Sequence, residues 1–487
     1  MGVADETSAA ADQPDLTAAA GRRSRAFALS GICLGFALVI FDANVLNVAA
    51  PVLRHDLGAD PEGLLWIING YTLAFAALLL SAGALGDRLG VRRVFLGGLV
   101  VFIVASVACS LTTATRDLVA ARVGQGIGAA LLAPTSLALL RQLYPDLAMR
   151  ARALGVWAAV SGIAFALGPL CGGALVTYAG WRSIFLLNLP FGLAALALVS
   201  LNAPSEALLR SGGGQRAAPF DAIGQLIVAV ALGDLTFTLI QTTTLGWTAL
   251  RVLDGFVLAA GFSIVFVARE RLKTDEKRLL PMAAFRSGAL RAGLLAGAVF
   301  NFGLYGTLFV LTLHLQEARG LSPVLTGAAF LPLTALHAVV SATLTGRLTA
   351  VRGPRTPLVA GLLFCAVGTT VLAAATLLAG PGGGPGNLQL VVGLSLFGIG
   401  SGLTTTPMTA LVLANTSGRS AGTSAGLLNA SRQLGGLVGV ALLGSLTILH
   451  PAGLRLAVTL VVAAVPMAGA ALYGHRHIAA ELKGSAR

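Results

Sequence analysis

Residues 83 to 93 read Gly83-Ala84-Leu85-Gly86-Asp87-Arg88-Leu89-Gly90-Val91-Arg92-Arg93, a short charged knot between apolar stretches at 64 to 85 and 94 to 113. A bilayer core takes about 20 helical residues per crossing. Two such stretches joined by so short a loop therefore predict a membrane-spanning helical hairpin. The pattern recurs outward in both directions. Further apolar stretches lie at 27 to 49, 117 to 140, 153 to 178, 182 to 203, 220 to 243, 251 to 268, 291 to 316, 323 to 346, 357 to 380, 388 to 413, 421 to 449 and 454 to 474. They predict an all-α polytopic membrane protein with 14 transmembrane helices.

Composition points the same way. Of 487 residues 56% are hydrophobic and 11% charged, against about 25% charged in a soluble domain. Only lipid can solvate such an excess of apolar surface, and in lipid the backbone must satisfy its own hydrogen bonds, which a helix does. Of the 33 Lys and Arg residues, 25 fall in the tails and alternate loops. Arg54, Arg116, Arg182, Arg251, Arg319 and Arg455 fall in the other loops, and Arg122 and Arg432 within helices. Basic loops stay in the cytoplasm, so both termini are expected there.

The net charge of +13 is strung over many loops and forms no single basic stripe, which argues against nucleic acid as a partner. Cys33, Cys109, Cys171 and Cys365 sit singly inside spans and imply neither disulfides nor a metal site. The chain contains no G-x-x-x-x-G-K-[ST], zincin or G-x-S-x-G pattern. A nucleotide-driven pump and a hydrolase are thereby disfavoured, no cofactor is expected, and uphill movement of a solute would draw on an ion gradient. Three Lys against 30 Arg suggest a GC-rich bacterial genome and hence the bacterial cytoplasmic membrane.

Gly126-Ile127-Gly128 with Pro134 returns eight helices later as Gly398-Ile399-Gly400 with Pro407, and Asp87-Arg88-Leu89 is echoed more faintly by Gly346-Arg347-Leu348. A six, two and six arrangement accounts for both offsets, and such repeats are typical of carriers that rock about a central site. The expected division is a tail at 1–26, a first bundle at 27–203, a linker at 204–219 and an inserted helix pair at 220–268. A basic linker at 269–290, a second bundle at 291–474 and a tail at 475–487 complete it.

The 83–93 loop resembles the G-x-L-a-D-R-x-G-r-k signature of the major facilitator superfamily, departing at Gly86 and Val91. Arg122-Val123-Gly124-Gln125-Gly126-Ile127-Gly128-Ala129-Ala130 is similar to that superfamily's R-x-x-q-G-x-g-a-a motif. Gly155 with Gly168-Pro169-Leu170-Cys171-Gly172-Gly173 resembles its antiporter motif, Ala164 standing where glycine is usual. Three stretches resemble the 14-helix drug:proton antiporters in particular. They are Phe41 to Pro51, Gly180 to Pro190, and Asn429-Ala430-Ser431-Arg432-Gln433-Leu434-Gly435-Gly436. Within that family the likeness is to the self-resistance exporters of antibiotic-producing actinomycetes, such as those for methylenomycin and cephamycin. The resemblance implies proton-coupled export of a small amphipathic or apolar molecule by a monomer. An uptake symporter on the same fold and a membrane-embedded enzyme or scaffold are the alternatives. The first is disfavoured by the antiporter motif, the second by the lack of a reactive cluster.

Asp42 and Arg122 are the most informative charges. A lone ion at mid-bilayer costs roughly 2.5–3.5 kcal/mol even on a lenient scale, and helix rise puts the two at similar depth. They are expected to face each other across the outer half of a cavity and to couple protons, or else to lock two helices statically. Gly83, Asp87, Arg88, Gly90, Arg92 and Arg93 form the expected cytoplasmic gate, with Gly83 in a tight helix contact. Asn44, Asn47, Gln125, Asn301, Phe302, Tyr305 and Arg432 are the expected substrate pocket, with helix-to-helix hydrogen bonding as the other reading of the amides. Arg432 either answers Asp234 or lines water. His314 and His337 fall in a range where histidine titrates but read more simply as packed hydrogen-bonding side chains.

Overall fold

The structure is a computed structural model that describes residues 14–204, 221–273, 285, 287–378, 386–414, 421–449 and 452–484. Most of the linkers expected at 204–219 and 269–290 lies outside the described residues. The regular structure is helical throughout, with no strand among the described residues. The first six helices are α1 (Pro14–Asp56), α2 (Pro61–Leu89), α3 (Val91–Leu111), α4 (Thr115–Leu143), α5 (Leu147–Ala179) and α6 (Arg182–Asn202). Then come α7 (Ala222–Leu245), α8 (Leu250–Leu272) and α9 (Gly288–Leu313). A broken run follows: α10 (Pro323–Ala329), α11 (Leu331–Val340) and α12 (Gly346–Arg352). The chain closes with α13 (Arg355–Leu378), α14 (Asn387–Ala414), α15 (Ala421–Leu449) and α16 (Ala452–Gly484). Thirteen helical segments among the described residues are long and apolar enough to cross a membrane. In addition α15 has 29 residues, about 44 Å of helix.

The ends depart from expectation in one direction. The tails predicted through 26 and from 475 are helical from Pro14 and as far as Gly484. Pro14 supplies a preset φ at the first helical position and Ala18 to Ala20 are the strongest helix formers, so α1 starts well before its apolar stretch. Between α2 and α3 only Gly90 intervenes, at φ 103°. A side chain there would be strained, and the glycine makes the abrupt turn possible. The run from 323 to 352 is not one continuous α-helix: Phe330 breaks it, and a π-helical turn spans Ser341–Thr345. The Thr345 hydroxyl is 3.0 Å from the Val340 carbonyl and 2.9 Å from that of Gly402 on α14, so the widened turn is tied to its neighbour.

The packing repeats. In the first six helices α1 packs on α5 and α6, α4 on α2 and α3, and α3 on α6. In the later helices α9 packs on α15 and α16, α14 on α11 and α13, and α13 on α16. The glycine repeat read from the sequence underlies this. A methyl at Gly126 would meet the Tyr71 carbonyl on α2, and one at Gly398 would lie 2.5 Å from the Leu333 carbonyl on α11. At Gly128 it would lie 2.7 Å from the Phe102 nitrogen on α3, and at Gly400 2.6 Å from the Cys365 nitrogen on α13. Each glycine pair lets one helix touch the backbones of two neighbours, the small-residue packing that substitutes for hydrophobic drive inside lipid.

The halves meet through α2 with α15 and through α5 with α10 and α11. We call the end bearing Arg54 and Glu317 distal and the end bearing the α2–α3 turn proximal. Distally a single apolar core runs through both halves, from Val45, Leu53 and Leu64 to Phe309, Phe330 and Leu443. Proximally the first half has a core of its own around Ile32, Phe36, Phe95, Phe102 and Leu140. The molecule is thus sealed at its distal end. α7 and α8 pack on each other, and α7 lies against α2 and α15.

Candidate functional site

Five helices of the first half converge on Asp42. Arg122 on α4 donates through Nη1 to Asp42 Oδ2 and to Gln125 Oε1 at 2.7 Å. The other carboxylate oxygen, Oδ1, accepts from Gln125 Nε2 and from Asn188 Nδ2 on α6, each at 3.2 Å. Both amides also donate to Ser106 Oγ on α3, at 2.7 and 3.2 Å. The guanidinium carbon lies 4.4 Å from the centre of the Tyr71 ring on α2, and the Tyr71 hydroxyl donates to the Val39 carbonyl at 3.1 Å. Asp42 and Arg122 are each 1% exposed. An ion pair survives desolvation only where its remaining donors and acceptors are also met, and here both carboxylate oxygens have partners.

One expectation is corrected by this geometry. Asp42 and Arg122 do come together, but inside one bundle and not across a cavity, because α3, α4 and α6 close around them. Gln125 belongs to the ion-pair network, its amide hydrogen-bonded to Arg122, Asp42, Ser106 and Cys109. Ser106, Asn188 and Tyr71 were not singled out from the sequence. A buried polar residue on an apolar helix was the available signal for Asn188 and Ser106.

A second group of polar and aromatic residues lies where the halves meet. Asn44 on α1 is buried against Gly168, where an added methyl would sit 2.9 Å from the Asn44 Cβ. Its Nδ2 donates to the Ile40 carbonyl at 2.6 Å, while Oδ1 has no partner. Asn47 and Asn301 are also buried with an unpartnered Oδ1. Tyr305 on α9 lies within electrostatic reach of Arg432 and beside Asn44 of the other half. His337 on α11 shares a 2.7 Å hydrogen bond with Ser401 Oγ on α14, and its ring centre is 4.9 Å from that of Phe165 on α5. Arg432 is half-buried and makes no ion pair among the described residues; Asp234 on α7, the expected partner, makes none among them either. Phe302 is packed into the shared apolar core, with its carbonyl against Gly439 on α15.

The expected gate residues lie around the α2–α3 turn. Asp87, Arg88 and Arg93 are exposed at the proximal end. Arg92 Nη2 donates to the Ser200 carbonyl at 2.6 Å, tying α3 to the end of α6. Gly83 has open space where a tight helix contact was expected, as has Gly155 on α5. That contact is missing at the end where the halves do not share a core. The rest of the antiporter motif is engaged distally. Gly168 and Gly172 pack on α1, where a methyl added at the latter would lie 2.9 Å from the Val45 carbonyl. A methyl at Gly173 would meet the Pro323 carbonyl, and one at Gly327 the carbonyl of Pro169. Thr177 Oγ1 accepts from the Val324 amide at 3.1 Å, Gln316 Nε2 donates to the Val48 carbonyl at 2.8 Å, and Arg54 pairs with Glu317 at 3.1 Å. Above these contacts a distal cleft of about 280 Å³ is lined by residues such as Leu65, Phe309, His314 and Arg455.

Comparison with known proteins follows the same lines. The family description Major Facilitator Superfamily matches residues 32–440. The chain is similar to the Methylenomycin A resistance protein of Bacillus subtilis, 36% identical over 414 residues covering 85% of each chain. It is similar to the Methylenomycin A resistance protein of Streptomyces coelicolor, 36% identical over 423 residues, 87% of this chain and 85% of the relative. It is also similar to the Tetracenomycin C resistance and export protein of Streptomyces glaucescens, 36% identical over 447 residues, 91% of this chain and 79% of the relative. With two repeated helical bundles, glycine-mediated contacts between them and polar residues at their interface, this multi-pass membrane protein belongs to the major facilitator superfamily, and it is a transporter and not an enzyme.

Proposed function

We propose that the protein is a proton-coupled antiporter that exports a small drug-like molecule or antibiotic across the bacterial cytoplasmic membrane and so confers resistance. In this reading it has 14 spans in a six, two and six order, the proximal face and both termini are cytoplasmic, and the monomer works without a cofactor, on the proton gradient. The observation that carries the reading is the enclosed Asp42–Arg122 pair lying beside a polar interface between two bundles sealed at one end. A proton delivered to Asp42 cancels its charge and leaves Arg122 a buried, uncompensated cation. That cost is relieved only if the helices around it move. The motion is thereby linked to the proton, and the distal seal at Gly173 and Gly327 is what it would open. Asn44, Asn47, Asn301, Tyr305 and Arg432 are the residues facing cargo in this reading. The names of the relatives support export of antibiotics. Everted vesicles carrying Asp42→Asn test it: the variant should lose ΔpH-driven export, and unchanged export would remove Asp42 from the coupling.

A further inference from the structure

We infer that the site between the bundles selects cargo carrying a negative charge, with Arg432 as its recognition group; this rests on the export reading above. Helix rise places Arg432 about 16 Å from the proximal end of α15, near the middle of that helix. Its surroundings come from both sides of the interface. The Cγ would lie 3.1 Å from a methyl at Gly297 on α9. Tyr305 on α9 and His337 on α11 are its electrostatic neighbours. Tyr305 in turn reaches Asn44 and Tyr71 of the first half, and Ala430, two residues before Arg432, packs on the first half's proximal core.

Among the described residues no carboxylate is placed to answer this guanidinium. Of the 20 acidic residues, only Asp42 and Asp234 stand deep within a span. Both oxygens of Asp42 are taken by Arg122, Gln125 and Asn188. Asp234 belongs to α7, outside both bundles, and has an oxygen enclosed without a partner, so it is not spent on Arg432. The interface therefore carries one net positive charge at a depth where an unpaired ion is costly. An anionic cargo brings the missing countercharge with it, and a carboxylate or phenolate meets the guanidinium in a charge-assisted hydrogen bond. A cationic cargo would add a second unpaired charge. Apolar and aromatic neighbours such as Phe165 and Tyr305 suit the remainder of an amphipathic molecule.

The test uses full-length protein in nanodiscs and two dyes on one ring system, anionic carboxyfluorescein and cationic rhodamine 123, with binding read by fluorescence anisotropy. The wild type should hold the anion more tightly than the cation. Arg432→Gln should weaken the anion about ten- to hundredfold, the worth of one hydrogen bond to a charged group. Arg432→Lys should keep the preference, showing that the site folds, and Arg432→Glu should reverse it. A wild type that prefers the cation or holds neither dye above empty nanodiscs, or an unchanged ratio in Arg432→Glu, overturns the inference. Flux in liposomes separates it from the export reading. Wild-type flux under an imposed ΔpH without anion preference sinks charge selection alone, whereas anion binding without flux of any compound sinks the export reading alone.

Discussion

Removing Arg122 is the sharpest perturbation of the buried network. Arg122→Met keeps the volume and the contact with Tyr71 but deletes the cation. Asp42 then retains only two neutral donors, the amides of Gln125 and Asn188 at 3.2 Å. Breaking a buried pair from one side costs about 3–5 kcal/mol, because the surviving charge has no counterion. Asp42→Asn strands the guanidinium instead, leaving it the Gln125 carbonyl oxygen at 2.7 Å and the Ile67 carbonyl at 3.4 Å. It should cost a similar amount. Changing both residues removes the two charges together and should cost far less than the sum, so the cycle should show a coupling of about 3 kcal/mol. Unfolding of the three variants in one detergent at fixed pH measures it. Additive losses, with no coupling beyond about 0.5 kcal/mol, would refute the claim that the pair is desolvated and mutually dependent.

Gly173→Leu should force α5 from α10 and abolish transport, while a cysteine at Thr177 becomes reactive to a membrane-impermeant thiol reagent from the distal side; a shielded cysteine would contradict the seal. Gly90→Ala places a side chain at φ 103° and should cost about 1–3 kcal/mol of stability without altering substrate range, read by thermal unfolding and a resistance panel. Tyr305→Ala should change which compounds the protein exports without stopping ΔpH-driven flux, and an unchanged panel would count against its place at the cargo site. At the proximal ends of α7 and α8, burial pushes the Asp221 carboxyl up, but hydrogen bonds from Arg269, Lys273 and the Gly224 amide, with the Lys273 charge, outweigh it. They hold the group down at about 2. A depressed carboxylate stabilises above its unfolded value, about 4, and the stability is lost as pH falls toward 2. Hydrogen exchange at the proximal ends of α7 and α8 should therefore rise between pH 4 and 2, and Asp221→Asn should remove that dependence.

The sequence by itself determined the membrane class, the positions of the long helices and the eightfold helix offset between Gly126-Ile127-Gly128 and Gly398-Ile399-Gly400. These follow from local properties: an apolar run needs lipid, and a glycine pair needs a close neighbour, whatever that neighbour is. It also singled out Asp42 and Arg122, since a charge in an apolar run demands a partner. Which partners enclose them was decided by tertiary structure. Ser106, Asn188 and Tyr71 come from three different helices, so nothing in their local spacing shows that they enclose the pair. Gln125 and Phe302 read alike in one dimension, but three-dimensional packing sets one in the ion-pair network and the other against the backbone of α15. Gly83 and Gly173 are both glycines in motifs, yet one faces open space and the other a carbonyl. The difference lies in where the two halves touch, a relation between distant segments that no single helix encodes.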